Sequence, residues 1–206
     1  MKTAVAVLVV PNLAMDGIQA RRRGGLAATV RRLAPLLVFG GAGTVLGTAA
    51  LAVLSAKTVT LALGGFVVLF VSLNAARVSP RVSPSWERWL SPPVGLVAGG
   101  VGGVTNVPSL VLILYFYALG MEKDEFVRSI AVTFLAYKLV QFVSLVTLGL
   151  LHGRLIGASL ALTLVAVGAF ALGLRVQDRL DVQAFNRAVL GFLGAVGVWL
   201  VVRALS

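Results

Sequence analysis

Apolar residues in this chain come in long runs separated by short polar stretches, several of them rich in arginine. A run of about twenty residues, wound as a helix, crosses a hydrocarbon layer roughly 30 Å thick. Seven such runs stand out, at 3–20, 34–54, 58–76, 93–118, 128–150, 155–174 and 185–204. In lipid each must be helical, because a backbone amide that finds no partner within its segment costs several kcal/mol. The pattern predicts an all-α, polytopic membrane helix bundle with seven spans.

The fourth run is interrupted. Gly99-Gly100-Val101-Gly102-Gly103-Val104-Thr105-Asn106-Val107-Pro108-Ser109 sits in the middle of it. Glycines weaken a helix, Pro108 has no amide hydrogen, and Thr105 and Asn106 are good caps for a new helix starting just before the proline. A broken helix is therefore expected at 99–108, still within one membrane crossing. Its second half would present unbonded amides and a positive dipole end near the bilayer centre, which suits an anion.

An internal repeat is visible at an offset of 125 residues, where Ala6-Val7 matches Ala131-Val132 and Ala42-Gly43 matches Val167-Gly168. It divides the chain into a truncated first repeat of three helices (1–80), an interfacial linker (81–92) and a second repeat of four (93–206). The offset is four spans, an even number, so matching helices should run in the same direction, as in parallel-repeat transporters. Within the linker, Trp86 and Trp89 flank a short amphipathic piece, Ser85 to Leu90, of the kind that lies at a membrane interface.

Charge then orients the bundle. Placing Arg21, Arg22, Arg23, Arg31 and Arg32 in the cytoplasm also places Arg77, Arg81, Arg88, Arg154 and Arg203 there, ten in all, against seven outside: Lys2, Lys57, Lys123, Arg128, Arg175, Arg179 and Arg187. The expected topology is N-terminus outside, C-terminus cytoplasmic, in the cell membrane. Glu122, Lys123, Asp124 and Glu125 then form an acidic outward loop. The net charge of +11 reflects these loops and the lipid beside them rather than a nucleic-acid partner.

Of the 206 residues 59% are hydrophobic and 12% charged, which leaves no room for a separate soluble domain. There is no cysteine and one histidine, His152, in the turn Leu151-His152-Gly153-Arg154. That composition offers neither a metal-binding pair nor a serine-histidine hydrolytic site, so neither an enzyme nor a cofactor is expected. Lys138 is the one basic residue deep inside a span, and a charge there must pair, face water or hold a ligand. Gln141 shares its helix face, and Tyr137 precedes it. Asn12, after Pro11, occupies the matching region of the first span, followed by Asp16 and Gln19 at helical spacing. Asp16 would carry protons or balance Lys138, although its place beside five arginines favours a solvated role. Thr44, Thr48 and Thr163 should bond their own helix backbones.

The stretch Gly95 to Phe134, with Gly-Gly-Val-Gly-Gly, Pro108, Tyr115, Gly120, Lys123, Phe126 and Phe134, resembles the second half of the sulfite exporter TauE/SafE family. The likeness continues through Gly149-Leu150, Gly168, Gly173 and Phe185. It implies a small permease made of two glycine-rich halves that moves sulfite, organosulfonates or other small organic anions. Two departures accompany it. The chain begins after the point where the family's first Gly-rich, Pro-containing helix stands, and Val104-Thr105-Asn106-Val107 separates the glycines from Pro108 where relatives reach the proline sooner.

The expected function is a secondary transporter of a small anion, with Gly102, Gly103, Thr105, Asn106 and Pro108 forming the cradle, Lys138 supplying charge, and Tyr137, Gln141 and Asn12 lining it. No GxxxxGK[ST] sequence is present, so coupling to protons or ion exchange is expected. The alternative is a non-transporting membrane subunit whose glycine-rich faces pack against a partner, a second copy of the chain included.

Overall fold

A computed structural model of the chain describes residues 2–22, 24–55, 57–59, 65 and 82–179. Among these residues it is all helical: α1 (Lys2–Arg22), α2 (Leu26–Arg32), α3 (Ala34–Val53), α4 (Pro84–Thr105), α5 (Ser109–Ala118), α6 (Lys123–Thr147) and α7 (Gly153–Arg179). Among the described residues four helices are long and apolar enough to cross a membrane: α1, α3, Asp124–Thr147 of α6 and Gly153–Arg175 of α7. Most of the expected span at 58–76, all of that at 185–204, and the expected cytoplasmic C-terminus lie outside the described residues. The chain divides into two compact units, Met1–Leu164 and Val165–Ser206. The first carries everything discussed below.

Local sequence explains the helix ends. After Arg22, Gly24 and Gly25 take left-handed φ angles of 63° and 66°, a region glycine enters freely, and the chain doubles back into α2. Proline stands in the first turn of α3 and of α4, where its missing amide costs nothing. Ser85 to Leu90 is continuous with the helix that follows it. It forms the opening turns of α4, with Trp86 and Trp89 still exposed.

The glycine run does not break the helix. α4 continues through Gly99–Gly103 and stops at Asn106, whose left-handed φ of 67° caps it. Asn106 thus ends the first half-helix rather than starting the second. Gly95, Gly99 and Gly103 form a stripe four residues apart against Gly40, Thr44 and Thr48 of α3. A methyl group on Gly95 would lie 2.5 Å from the Leu36 carbonyl oxygen, and one on Gly103 would lie 2.6 Å from that of Thr44. Seen from α3, Gly43 and Gly47 abut the backbone of Leu96 and Gly100 in the same way. Two helices this close need small residues on both sides, and that is what the glycines supply.

The largest departure from expectation lies after the break. α5 does not continue across the bundle but folds back along α4. The Val82 amide donates to the Ala118 carbonyl at 2.8 Å, Tyr115 meets Ser91 at 2.8 Å, and Pro108 packs on Gly102. Residues 82–118 are therefore a helical hairpin whose two ends lie together, not a single interrupted crossing. Consequently α6 starts at the end of the bundle where α4 started. Arg32 of α2 pairs with Glu87 of α4 and Glu125 of α6, and Arg128 donates to Thr29 at 2.8 Å. The acidic loop expected on the opposite side thus shares an end with the Arg21–Arg32 connection.

Two corrections follow. α1 and α6 pack antiparallel, with Ala20 beside Ala131 and Val132, Gly17 beside Leu135, and Ala6 and Val9 beside Leu145. Helices expected to match in the same direction therefore run oppositely, because the hairpin removes one crossing from the count. The narrow margin of basic residues has the same origin. Lys123 and Arg128 belong with the arginine-rich end, while Arg154 lies near the start of α1 with Leu151 and Leu155.

Candidate functional site

The hairpin turn, Asn106-Val107-Pro108, comes to rest against the middle of α6. The first half-helix ends there with carbonyls that no later turn can use. Gly102 O accepts from the Asn106 amide at 2.8 Å. Gln141 Nε2 reaches over from α6 and donates to Gly102 O at 3.3 Å and Gly103 O at 3.2 Å. Thr105 Oγ1 donates to Val101 O at 2.7 Å and accepts from the Val107 amide at 3.2 Å. The second half-helix opens at Pro108, with no side chain capping its first amides and the first return bond from Leu112 at 3.4 Å.

Lys138 joins this turn. Its ammonium donates to Asn106 Oδ1, to Asn106 O at 3.3 Å and to Gln141 Oε1 at 2.8 Å. Lys138 is 3% exposed and Gln141 1%, so the charge is removed from solvent. All three of these partners are oxygens of neutral groups. A positive charge at the carbonyl end of α4 is favoured by that helix's dipole. The spacing of three residues puts Lys138 and Gln141 on one face, as their sequence positions suggest.

The structure brings Gly102, Gly103, Thr105, Asn106, Pro108, Lys138 and Gln141 together and leaves two sequence candidates apart. Tyr137 points the other way, its hydroxyl donating to Leu36 O at 3.0 Å and its ring lying over Gly40. Asn12 sits half-buried in α1 and makes no side-chain hydrogen bond among the described residues. Thr44, Thr48 and Thr163 donate to their own helices at 2.8, 2.8 and 2.7 Å.

Sequence reasoning undervalued Asp16 and Gln19. Asp16 Oδ2 and Gln19 Oε1 are buried and without hydrogen-bond partners among the described residues. They lie three residues apart on one face of α1, next to Gly17, which touches Leu135. Asp16 is within electrostatic reach of Lys138. The missing signal was the antiparallel register of α1 on α6, which brings Asp16 towards Lys138. Reasoning also missed the ion cluster at the arginine-rich end. There Arg32 grips Glu87 with Nε at 2.8 Å and Nη2 at 2.9 Å, which holds its guanidinium above the usual arginine range. His152 is exposed in its turn, and no cluster of three metal-ligating side chains occurs among the described residues.

One comparison bears on what this geometry serves: the family model described as Sulfite exporter TauE/SafE matches residues 1–200. The chain belongs to the TauE/SafE sulfite exporter family. Membership makes it a membrane protein of the anion/sulfite exporter type, in a family of transporters rather than enzymes. Neither the curated proteins nor the solved structures return a match.

Proposed function

We propose that this TauE/SafE protein is a secondary transporter of a small anion such as sulfite, an organosulfonate or a carboxylate, held between the hairpin turn and Lys138. One observation carries the reading: a buried ammonium at the tip of a re-entrant hairpin, bonded to neutral oxygens of Asn106 and Gln141. A charge in that position is costly unless a counter-charge visits it, and a small anion supplies one. The first amides of α5, open at the same turn, add donors of the kind that stabilise an anion at a helix start. Gly102, Gly103, Thr105 and Pro108 shape the turn, while Gln141 sets the position of Lys138. Asn12, on α1, and Tyr137, whose hydroxyl bonds Leu36 O of α3, stand apart from this turn. The protein works in the cell membrane, with its arginine-rich end cytoplasmic and its N-terminus outside.

Counterflow of labelled sulfite in vesicles containing the purified protein tests this, with empty vesicles as control. Lys138→Met and Asn106→Leu should each lower flux about tenfold or more, as loss of a charge-assisted bond implies. Normal flux in both variants would reject the site. The tight glycine seam favours one other reading, a non-transporting subunit, which absence of flux with every anion tried would support.

A further inference from the structure

The Lys138 group leaves one buried feature unused. Asp16 Oδ2 and Gln19 Oε1 are both acceptors, both buried, and neither has a donor among the described residues. Two acceptors on one helix face cannot satisfy each other. Left so, each carries the desolvation cost of a buried polar atom, and an ionised carboxylate carries more. One proton resolves both, because a protonated Asp16 becomes a donor and Gln19 Oε1, one helical turn along the same face, accepts. We propose that Asp16 is the proton-binding site of this transporter, with Gln19 as its acceptor, and that Lys138 links proton uptake to anion binding.

This rests on the transporter reading above and names its coupling ion. The charges around Asp16 are few. From α6 the group that acts on it is Lys138. The other ionisable groups of that helix lie elsewhere: Lys123, Asp124, Glu125 and Arg128 at the arginine-rich end, and Tyr137 turned to α3. From α7, Ser159 reaches α1, donating to Val7 O at 2.6 Å, and it does not titrate. On α1 itself Arg21 and Arg22 lie more than a turn further on, and Lys2 bonds the Ala52 carbonyl at the far end.

Charge neutrality then dictates the coupling. With Asp16 ionised, its charge balances Lys138 and nothing attracts a second anion. When Asp16 takes up a proton, Lys138 is left uncompensated and recruits one. The empty site is carboxylate with ammonium; the loaded site is carboxylic acid, ammonium and anion. Proton and anion therefore enter and leave together, one with one.

The full chain in vesicles tests the idea, with the membrane potential clamped at zero and labelled methanesulfonate, whose charge is constant near neutral pH, beside sulfite. For one proton per anion, a difference of one pH unit should sustain about tenfold accumulation on the alkaline side. Asp16→Asn should bring that ratio close to one, and Asp16→Glu should restore it. Without any variant, stabilisation of the solubilised wild-type protein by methanesulfonate should weaken as the pH rises. Counterflow by the wild type without accumulation driven by pH would overturn the proton site and leave the transporter reading standing. Accumulation by Asp16→Asn equal to wild type would do the same. Absence of counterflow with both anions would remove the transporter reading and this inference together.

Discussion

The seam between α3 and α4 and the seam between α1 and α6 are built from opposite materials. The first is parallel and almost without side chains, glycine of one helix lying on backbone carbonyl of the other, with Thr44 and Thr48 bonded to their own helix. The second is antiparallel and made of side chains, with Asp16, Gln19 and Lys138 among Val9, Ala20, Ala131 and Leu145. A seam of backbone on backbone has no rotamers to exchange and stays fixed. A seam holding unpartnered oxygens and a charge has alternatives close in energy. The difference assigns α3 and the body of α4 to the scaffold, and α1 against α6, with the hairpin's tip, to the proposed chemistry.

The sharpest way to break this comparison is the direction of the helices, because parallel and antiparallel seams coexist only if residues 82–118 form a hairpin. The chain has no cysteine, so single introduced thiols report cleanly. Arg31→Cys and Glu122→Cys should react with an impermeant reagent from one side of the membrane, and His152→Cys from the other. Labelling of Glu122→Cys from the side opposite Arg31→Cys would mean a single crossing and would dissolve the contrast. Next in size is an alanine in each seam. Gly99→Ala drives its methyl group into the Gly40 carbonyl and should cost about 3 kcal/mol or more in thermal or denaturant unfolding. Gly17→Ala meets only the tip of Leu135 at 3.9 Å and should be neutral or stabilising by up to about 1 kcal/mol. The smallest effect belongs to neither seam. Arg32→Ala removes a partly exposed ion cluster, should cost under about 1 kcal/mol, and should matter less as salt rises.

Much of the helical content was legible because membrane helices must be apolar for their whole length. The break was legible too, since Asn106-Val107-Pro108 combines a residue tolerant of positive φ with one that cannot donate. What the sequence hid was the direction of travel after the break. The run at 93–118 has the length of one crossing, and nothing local reveals that α4 starts earlier, at Pro84, and that α5 returns. The glycines were ambiguous for a different reason: a stripe that permits backbone contact is spelled like one that loosens a helix. Lys138 with Gln141 was readable from spacing. For Asp16 the sequence left a balancing and a solvated role both open, because its nearness to Lys138 depends on how two distant helices slide past one another, and that register is a property of the packed bundle.

The bond from Val82 to Ala118 ties together the two feet of the hairpin and bears on how the protein is made. Since both feet stay on one face, the segment between them has no charged loop to carry through the lipid, and its tip, Val104 to Ser109, bears no charge at all. The insertion machinery can thread the flanking helices first and let this wedge slip in afterwards. The turn proposed to bind the anion would then be completed late in biogenesis, after the walls around it have been raised.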